Sequence, residues 1–334
     1  MWIFQIQACE GGVASAIAGR AASAHLTYVI FKVADGTTPS NDPQQKADLR
    51  DALRTLGIQC WGYHYVYGDD PATEAAVAIQ EVGGIDLDGL VVDAEIQYEN
   101  KSQSAQDYMA KLRGGLHAKP IAFSSFKYPT QHPNVPWREF LTACDIAMPQ
   151  VYWEDATGPT DPGDQLQRAI NEYRGISDKP IVPTGSAYKT DSWTATPSQI
   201  AQFLQSATTL GLPSVNFWDW DFAGRPDADM QALWNAISAF FSPISLMALD
   251  RFALSRVSAD LGANTESILG RVFDEIQKGA GTGRTTPILF PDGIQFIKLN
   301  VGLGLPGTAL SPGTPTPIVS IDIEISGRKT DSKP

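Results

Sequence analysis

Eight short β-rich runs alternate with eight amphipathic segments between Trp2 and Phe241, and this alternation limits the fold more than any other feature of the chain. The runs occupy residues 2–8, 28–36, 58–68, 89–95, 120–126, 145–153, 180–185 and 214–220. The segments between and after them, 13–25, 45–56, 72–82, 104–116, 137–143, 164–173, 197–210 and 227–241, carry helical periodicity. A strand that is regularly followed by a helix pairs in parallel with the next strand, because the crossover returns the chain to the same end of the sheet. Eight such units within residues 1–243 match an α/β architecture of the (β/α)8 TIM type, which takes about 250 residues, better than a doubly wound sheet. Local signals agree: in "TPSQ", Thr196 can cap the seventh helix, Pro197 open it and Gln199 complete a capping box.

The grammar changes after Phe241. Residues 245–277 read as helical and "GAGTGRTTP" as a linker, and three β-like runs follow, "ILF", "IQFIKLNVG" and "IVSIDIEIS". "PDG" reads as the turn between the first two, and "LPGTALSPGTPTP" as a long connection to the third. In the last run Ile321, Ile323 and Ile325 alternate with Ser320, Asp322 and Glu324, so one face is apolar and the other wet. Residues 244–334 are therefore expected to form a small helix-plus-β appendage serving attachment or protein assembly.

Charge narrows the partners. The net charge is −12, and the stretch from Ser245 onward holds nine basic and nine acidic residues, so the whole excess lies in the expected barrel. Phosphate binding needs Lys/Arg clusters, which are missing, so nucleic acid is excluded as a partner. No apolar run reaches the roughly 18 residues of a membrane span. Cys9, Cys60 and Cys144 are too few for a disulfide framework and lack metal-ligand spacing, which makes them buried small hydrophobes. No metal site, phosphate loop or nucleophile elbow is visible, so no cofactor is expected. "MWIFQIQA" reads as a strand rather than a signal peptide. The expectation is synthesis in the cytoplasm, with action at a cell wall or outside the cell after lysis or injection.

The chemistry gathers at "GLVVDAE". An apolar run fit for a buried strand ends in Asp93 and Glu95, two residues apart, so both side chains share one face. In a barrel that face points inward, and the C-terminal ends of the strands form the mouth where active sites lie. Two carboxyls against apolar walls cannot both ionise freely, which suits a general acid/base, Glu95, assisted by Asp93. The plainer reading has one acid paired with a Lys or Arg and the other solvated. Further strand ends supply Gln7, His64, Tyr65, Ser125, Gln150, Tyr152, Trp218 and Asp219 as candidate substrate-binding residues, with Gln5, Lys32, Asp35, Ser124 and Asp221 nearby in sequence. Rings beside hydrogen-bonding groups suit sugars, whose C–H faces stack while their hydroxyls bond. A single aromatic is more often core, and a lone His beside tyrosines is more often a structural residue.

"VVDAE" resembles the end of strand four in glycoside hydrolase family 25, lysozyme-like barrels that cut peptidoglycan, and "FKVADG", "WGYHYVYGDDPATEAAVA" and the late tryptophan-rich strand fall in the right order for it, so the resemblance covers Met1 to about Phe241. That resemblance implies Glu95 as acid/base and Asp93 as its partner. The family also places an aspartate at the end of strand one, where this chain has Gln5, Gln7 and then Glu10. "DGLVVDAE" is similar as well to the chitinase-type family 18 signature, matching it at Asp88, Gly89, Asp93 and Glu95, with Val91 in place of the first strand aspartate. "AMPQVYW" and "FWDWDF" resemble that family's sixth and eighth strands. In such enzymes the acid protonates the leaving oxygen, and the substrate's own acetamide, oriented by the Asp, is the nucleophile. "SSFKYPTQHPNVPWREFLTACDIAMPQVYW" further resembles barrel domains found near peptidoglycan-binding modules in bacterial and phage proteins.

These resemblances imply a glycosidase of muramidase type that cuts beside N-acetylated sugars, most readily in peptidoglycan. The alternatives are a non-catalytic carbohydrate-binding or structural barrel of a phage or phage-like assembly, and a chitinase-like endo-N-acetylglucosaminidase.

Overall fold

The computed structural model describes residues 1–154 and 161–241, together with the backbone of strands at 285–290, 293–304 and 318–326. Contacts divide the chain into two units, Met1–Pro243 and Ile244–Pro334. In the first unit, eight parallel strands run β1 (Trp2–Ile3), β2 (Tyr28–Asp35), β3 (Gln59–Val66), β4 (Gly89–Ala94), β5 (Ile121–Phe126), β6 (Ile146–Val151), β7 (Thr184–Ser186) and β8 (Asn216–Trp218). Each pairs with the next in sequence. Side chains join the two ends of this sheet: Trp2 Nε1 donates to Asn216 Oδ1, and the Asp221 carboxylate accepts the N–H groups of Phe4 (2.8 Å) and Gln5 (2.9 Å). The result is a nearly closed TIM-type barrel.

Eight helices surround it: α1 (Ala14–Ser23), α2 (Pro43–Thr55), α3 (Pro71–Gly84), α4 (Ser102–Gly115), α5 (Trp137–Ala143), α6 (Pro162–Arg174), α7 (Pro197–Thr209) and α8 (Ala228–Phe241). Four of them, α2, α3, α4 and α6, begin one or two residues before the periodicity predicts. Asp42, Asp70 and Asp161 cap α2, α3 and α6 with their carboxylates, and a proline follows each, its φ already set for the first helical turn. The capping box at Thr196 and Gln199 is present in α7 as its sequence predicts.

Three strands shrink to two or three residues, far shorter than their β-rich runs. β1 ends at Ile3 because the next two N–H groups turn to Asp221 rather than to a neighbouring strand, and residues 6–8 form a 3-10 turn. Ile181 reaches Ala147 only through an isolated bridge, and Pro183, without an N–H, separates it from β7. β8 stops at Trp218 because Asp219 caps a short helix, Trp220–Ala223.

Strand alternation sorts the core into two bodies. Trp2, Ile30, Trp61, Tyr63, Val91, Ala122, Met148 and Val182 fill the barrel interior. Their neighbours in sequence, such as Phe31, Cys60, Leu90, Val92 and Phe123, pack outward against the helices. Gly89 belongs to the barrel interior: a Cβ there would lie 2.5 Å from the Trp61 ring. Asp88 is likewise structural, accepting from the Cys60 N–H (2.7 Å) and pairing with Arg54 (2.8 Å). The three cysteines are buried and free.

In the second unit, β9 (Thr285–Phe290), β10 (Gly293–Gly304) and β11 (Ile318–Ser326) form an antiparallel sheet in that order. Ile321, Ile323 and Ile325 are registered opposite Val301, Leu299 and Ile297. The expected helix at 245–277, the linker before residue 285, the first two residues of the "PDG" turn and the connection at 305–317 lie outside the described residues. Among the described residues, no helix is long and apolar enough to cross a membrane.

Candidate active site

β4 delivers its two acids as its alternation predicts. Asp93 follows the inward-facing Val91 and is 6% exposed, while Glu95, one residue past the strand, is half-buried at the rim. One group ties them together. The Gln150 amide, from the end of β6, donates from Nε2 to Asp93 Oδ1 (2.8 Å) and to Glu95 Oε1 (2.9 Å), with Ser124 Oγ at 3.3 Å. Two acceptors on one nitrogen stand less than about 6 Å apart, below the roughly 6.5–9.5 Å that inverting glycosidases need for an intervening water.

Burial and the neighbouring Glu95 charge push the Asp93 carboxyl well above the usual carboxylate range, against the smaller opposing pull of Lys32, Gln150 and Ser124. Asp93 therefore holds its proton where an exposed aspartate would release it. Lys32 owes its place to a register shift between Lys32 and Ala34 on β2, which lets Lys32 and Asp35 face one another and pair. Its ammonium also sits 4.6 Å above the Phe4 ring.

Aromatic rings frame the pair. The Tyr65 hydroxyl donates to Gln97 Oε1 (2.8 Å), and burial together with the charges of Glu95 and Asp93 pushes its phenol up. Tyr152 is half-buried on the other side, its phenol raised by burial and then by the Asp93 charge. Trp218 leans edge-on against Trp2 at 5.7 Å and Tyr63 at 6.0 Å, and lies 6.4 Å from Phe4, which is 39% exposed at the mouth. Asp219 is buried next to Trp218; it caps the short helix through Phe222 N–H (3.0 Å), and burial plus Asp221 raise it to about 7.

The remaining candidates lie elsewhere. His64 faces the helix layer, hydrogen-bonded to the Tyr108 hydroxyl (3.0 Å) and the Gly36 carbonyl (2.7 Å). Burial lowers its pKa to about 4, so it is neutral at pH 7. Ser125 also faces outward, and Ser124, one residue earlier, is the serine that meets Gln150. Gln7 is exposed in the turn after β1, donating to the Gly11 carbonyl (3.0 Å) and accepting from Gln45 (2.7 Å). Glu10, the first acid after β1, is held by Arg20 and by Trp220 Nε1 (2.8 Å). Three residues that strand reasoning passes over stand near the mouth: Glu154, Tyr188 and Trp193. They lie in the loops after β6 and β7, where strand alternation carries no information. Among the described residues, no group of three His, Cys, Asp or Glu side chains is arranged to hold a metal ion.

No protein-family model and no curated protein sequence matches the chain. Solved structures do resemble it. A chitinase from Chromobacterium violaceum superposes with a TM-score of 0.57 at 14% identity, covering 72% of this chain and 99% of the other. A GH113 β-1,4-mannanase gives 0.54 at 13% identity, covering 71% and 96%. The Bacillus cereus spore cortex-lytic enzyme SleL gives 0.51 at 10% identity, covering 67% and 70%. At these identities the likeness is one of fold, and the site must be argued from its own residues.

Proposed function

We propose that this chain is a glycoside hydrolase that cuts beside an N-acetylated sugar in a polysaccharide, with Glu95 as general acid/base and Asp93 as its partner. The observation that carries this reading is the Gln150 amide, which bridges both carboxyls at the mouth of the barrel. Glu95, at the rim, is the acid able to reach a glycosidic oxygen. As it gives up its proton, the amide already facing it becomes a charge-assisted donor, so the developing charge meets a preset partner. Asp93, kept protonated by burial, opposes that charge less than a second carboxylate would. Both acids come from one strand and neither lies across the mouth from the other, which suits attack by the substrate's own acetamide on the opposite face of the sugar.

That arrangement favours family 18 chemistry over the family 25 set, since strand one brings no unengaged carboxylate to the mouth. The activities named for the similar folds, on chitin, mannan and spore cortex, support a carbohydrate polymer as substrate. Peptidoglycan and β-1,4-linked N-acetylglucosamine polymers are the two substrates to try.

A second reading, a non-catalytic carbohydrate-binding barrel in a phage-like assembly, draws on the sequestered Glu10. One experiment separates the readings: turbidity clearing of purified peptidoglycan and release of reducing ends from N-acetylglucosamine oligomers, for wild type and Glu95→Gln. Cleavage by wild type and a loss of about 10²–10⁴-fold in the variant are expected. Binding by both proteins with cleavage by neither establishes the second reading.

A further inference from the structure

Three strands round from β4, residues 187–196 join β7 to α7 and fold back as a small hairpin in which Lys189 pairs antiparallel with Thr194. Trp193 accepts the Thr190 N–H at 2.7 Å, and Tyr188 accepts the Ala195 N–H at 3.1 Å. The hairpin presents two half-buried rings, Tyr188 and Trp193, with centroids 5.5 Å apart. Tyr188 also stands edge-on to Tyr152 at 5.7 Å, and the Asp93 charge is the foremost charge acting on Tyr152. A row of rings therefore leads from the carboxyl pair out along the rim.

An acid fixes this row in place. Glu154 accepts the Tyr188 hydroxyl on Oε2 and the Thr190 hydroxyl on Oε1, both at 3.0 Å. Trp153 and Phe203, on the helix side, are fully buried. Tyr188 and Trp193 are only half-buried, Trp193 packing in part against the core, and a phenol held by Glu154 loses little entropy when a ligand stacks on its ring.

We propose that Tyr188 and Trp193 form a platform for a sugar unit remote from the cleaved bond, with Glu154 as the positioning residue that sets the Tyr188 ring. This deepens the reading of the mouth as a carbohydrate site and rests on it. A neutral N-acetylhexosamine presents the C–H face that such a platform takes.

The test compares a hexamer and a dimer of β-1,4-linked N-acetylglucosamine. In Tyr188→Ala and in Trp193→Ala, the ratio of kcat/KM on the hexamer to that on the dimer should fall about tenfold. Tyr188→Phe, which keeps the ring and loses the Glu154 bond, should recover most of that ratio. Glu154→Ala, which loses the same bond, should lower the ratio only as far as Tyr188→Phe does. Hexamer affinity is measured in parallel by tryptophan fluorescence in the Glu95→Gln background, which needs no turnover. If wild type cuts nothing but the hexamer binds and Tyr188→Ala weakens it, the catalytic reading fails and the platform stands. A hexamer that does not bind, or that binds Tyr188→Ala and Trp193→Ala as tightly as their parent, overturns the platform.

Discussion

Replacing Asp93 with Asn should stabilise the protein while disabling it, and the gain should depend on pH in a defined way. Burial and Glu95 raise the Asp93 pKa above its ordinary 3.8. Below pH 3.8 both the folded and the unfolded chain hold the proton, so Asp93 adds no pH dependence there. Above it the unfolded chain releases a proton that the folded protein keeps, so wild type loses about 1.4 kcal/mol per pH unit until the folded pKa is reached. Asn has no proton to release and can still accept from Gln150. The advantage of Asp93→Asn should therefore start near pH 4 and grow with pH by about 1.4 kcal/mol per unit, or about 3–5 °C in Tm for a barrel of this size. Thermal and urea denaturation across pH 4–8 measure it, and cleavage should fall at least about 10²-fold in the same variant. A stability difference that does not change with pH, or a variant less stable than wild type at pH 7, would refute the claim that Asp93 is held protonated by burial and by Glu95.

Two further outcomes are expected at the same site. Gln150→Ala removes a donor that favours the ionised Asp93, so the pH at which Asp93 releases its proton should rise by about one to two units, as a lost bond of about 1.5–3 kcal/mol implies, and one limb of the pH–rate profile should move upward with it. An unmoved profile would mean that the amide does not tune the pair. Attack by the substrate's own acetamide predicts that cleavage retains the anomeric configuration; proton NMR of the first products reads this directly, and inverted product would contradict it.

The barrel was legible because its determinants are local and periodic. Apolar runs at strand spacing, helical segments between them, and the Thr–Pro start of α7 depend on backbone geometry and nearest neighbours. So did the acid pair: residues two apart on one strand must share a face, and the end of an inward-facing run must meet the mouth. Parity misled where it depended on register. His64 stands beside Tyr65 among the candidates, and Ser125 in place of Ser124, because a strand end read in isolation does not say which alternate set faces the lumen.

The rest came from contacts between residues far apart in the chain. Gln150 joins Asp93 and Glu95 across more than fifty residues, Asp221 captures the backbone after β1 across more than two hundred, and Tyr188 meets Glu154 between two loops. Strand and helix periods are set by bonds to near neighbours, whereas a carboxyl's proton and a ring's orientation are set by whatever the closed barrel packs against them.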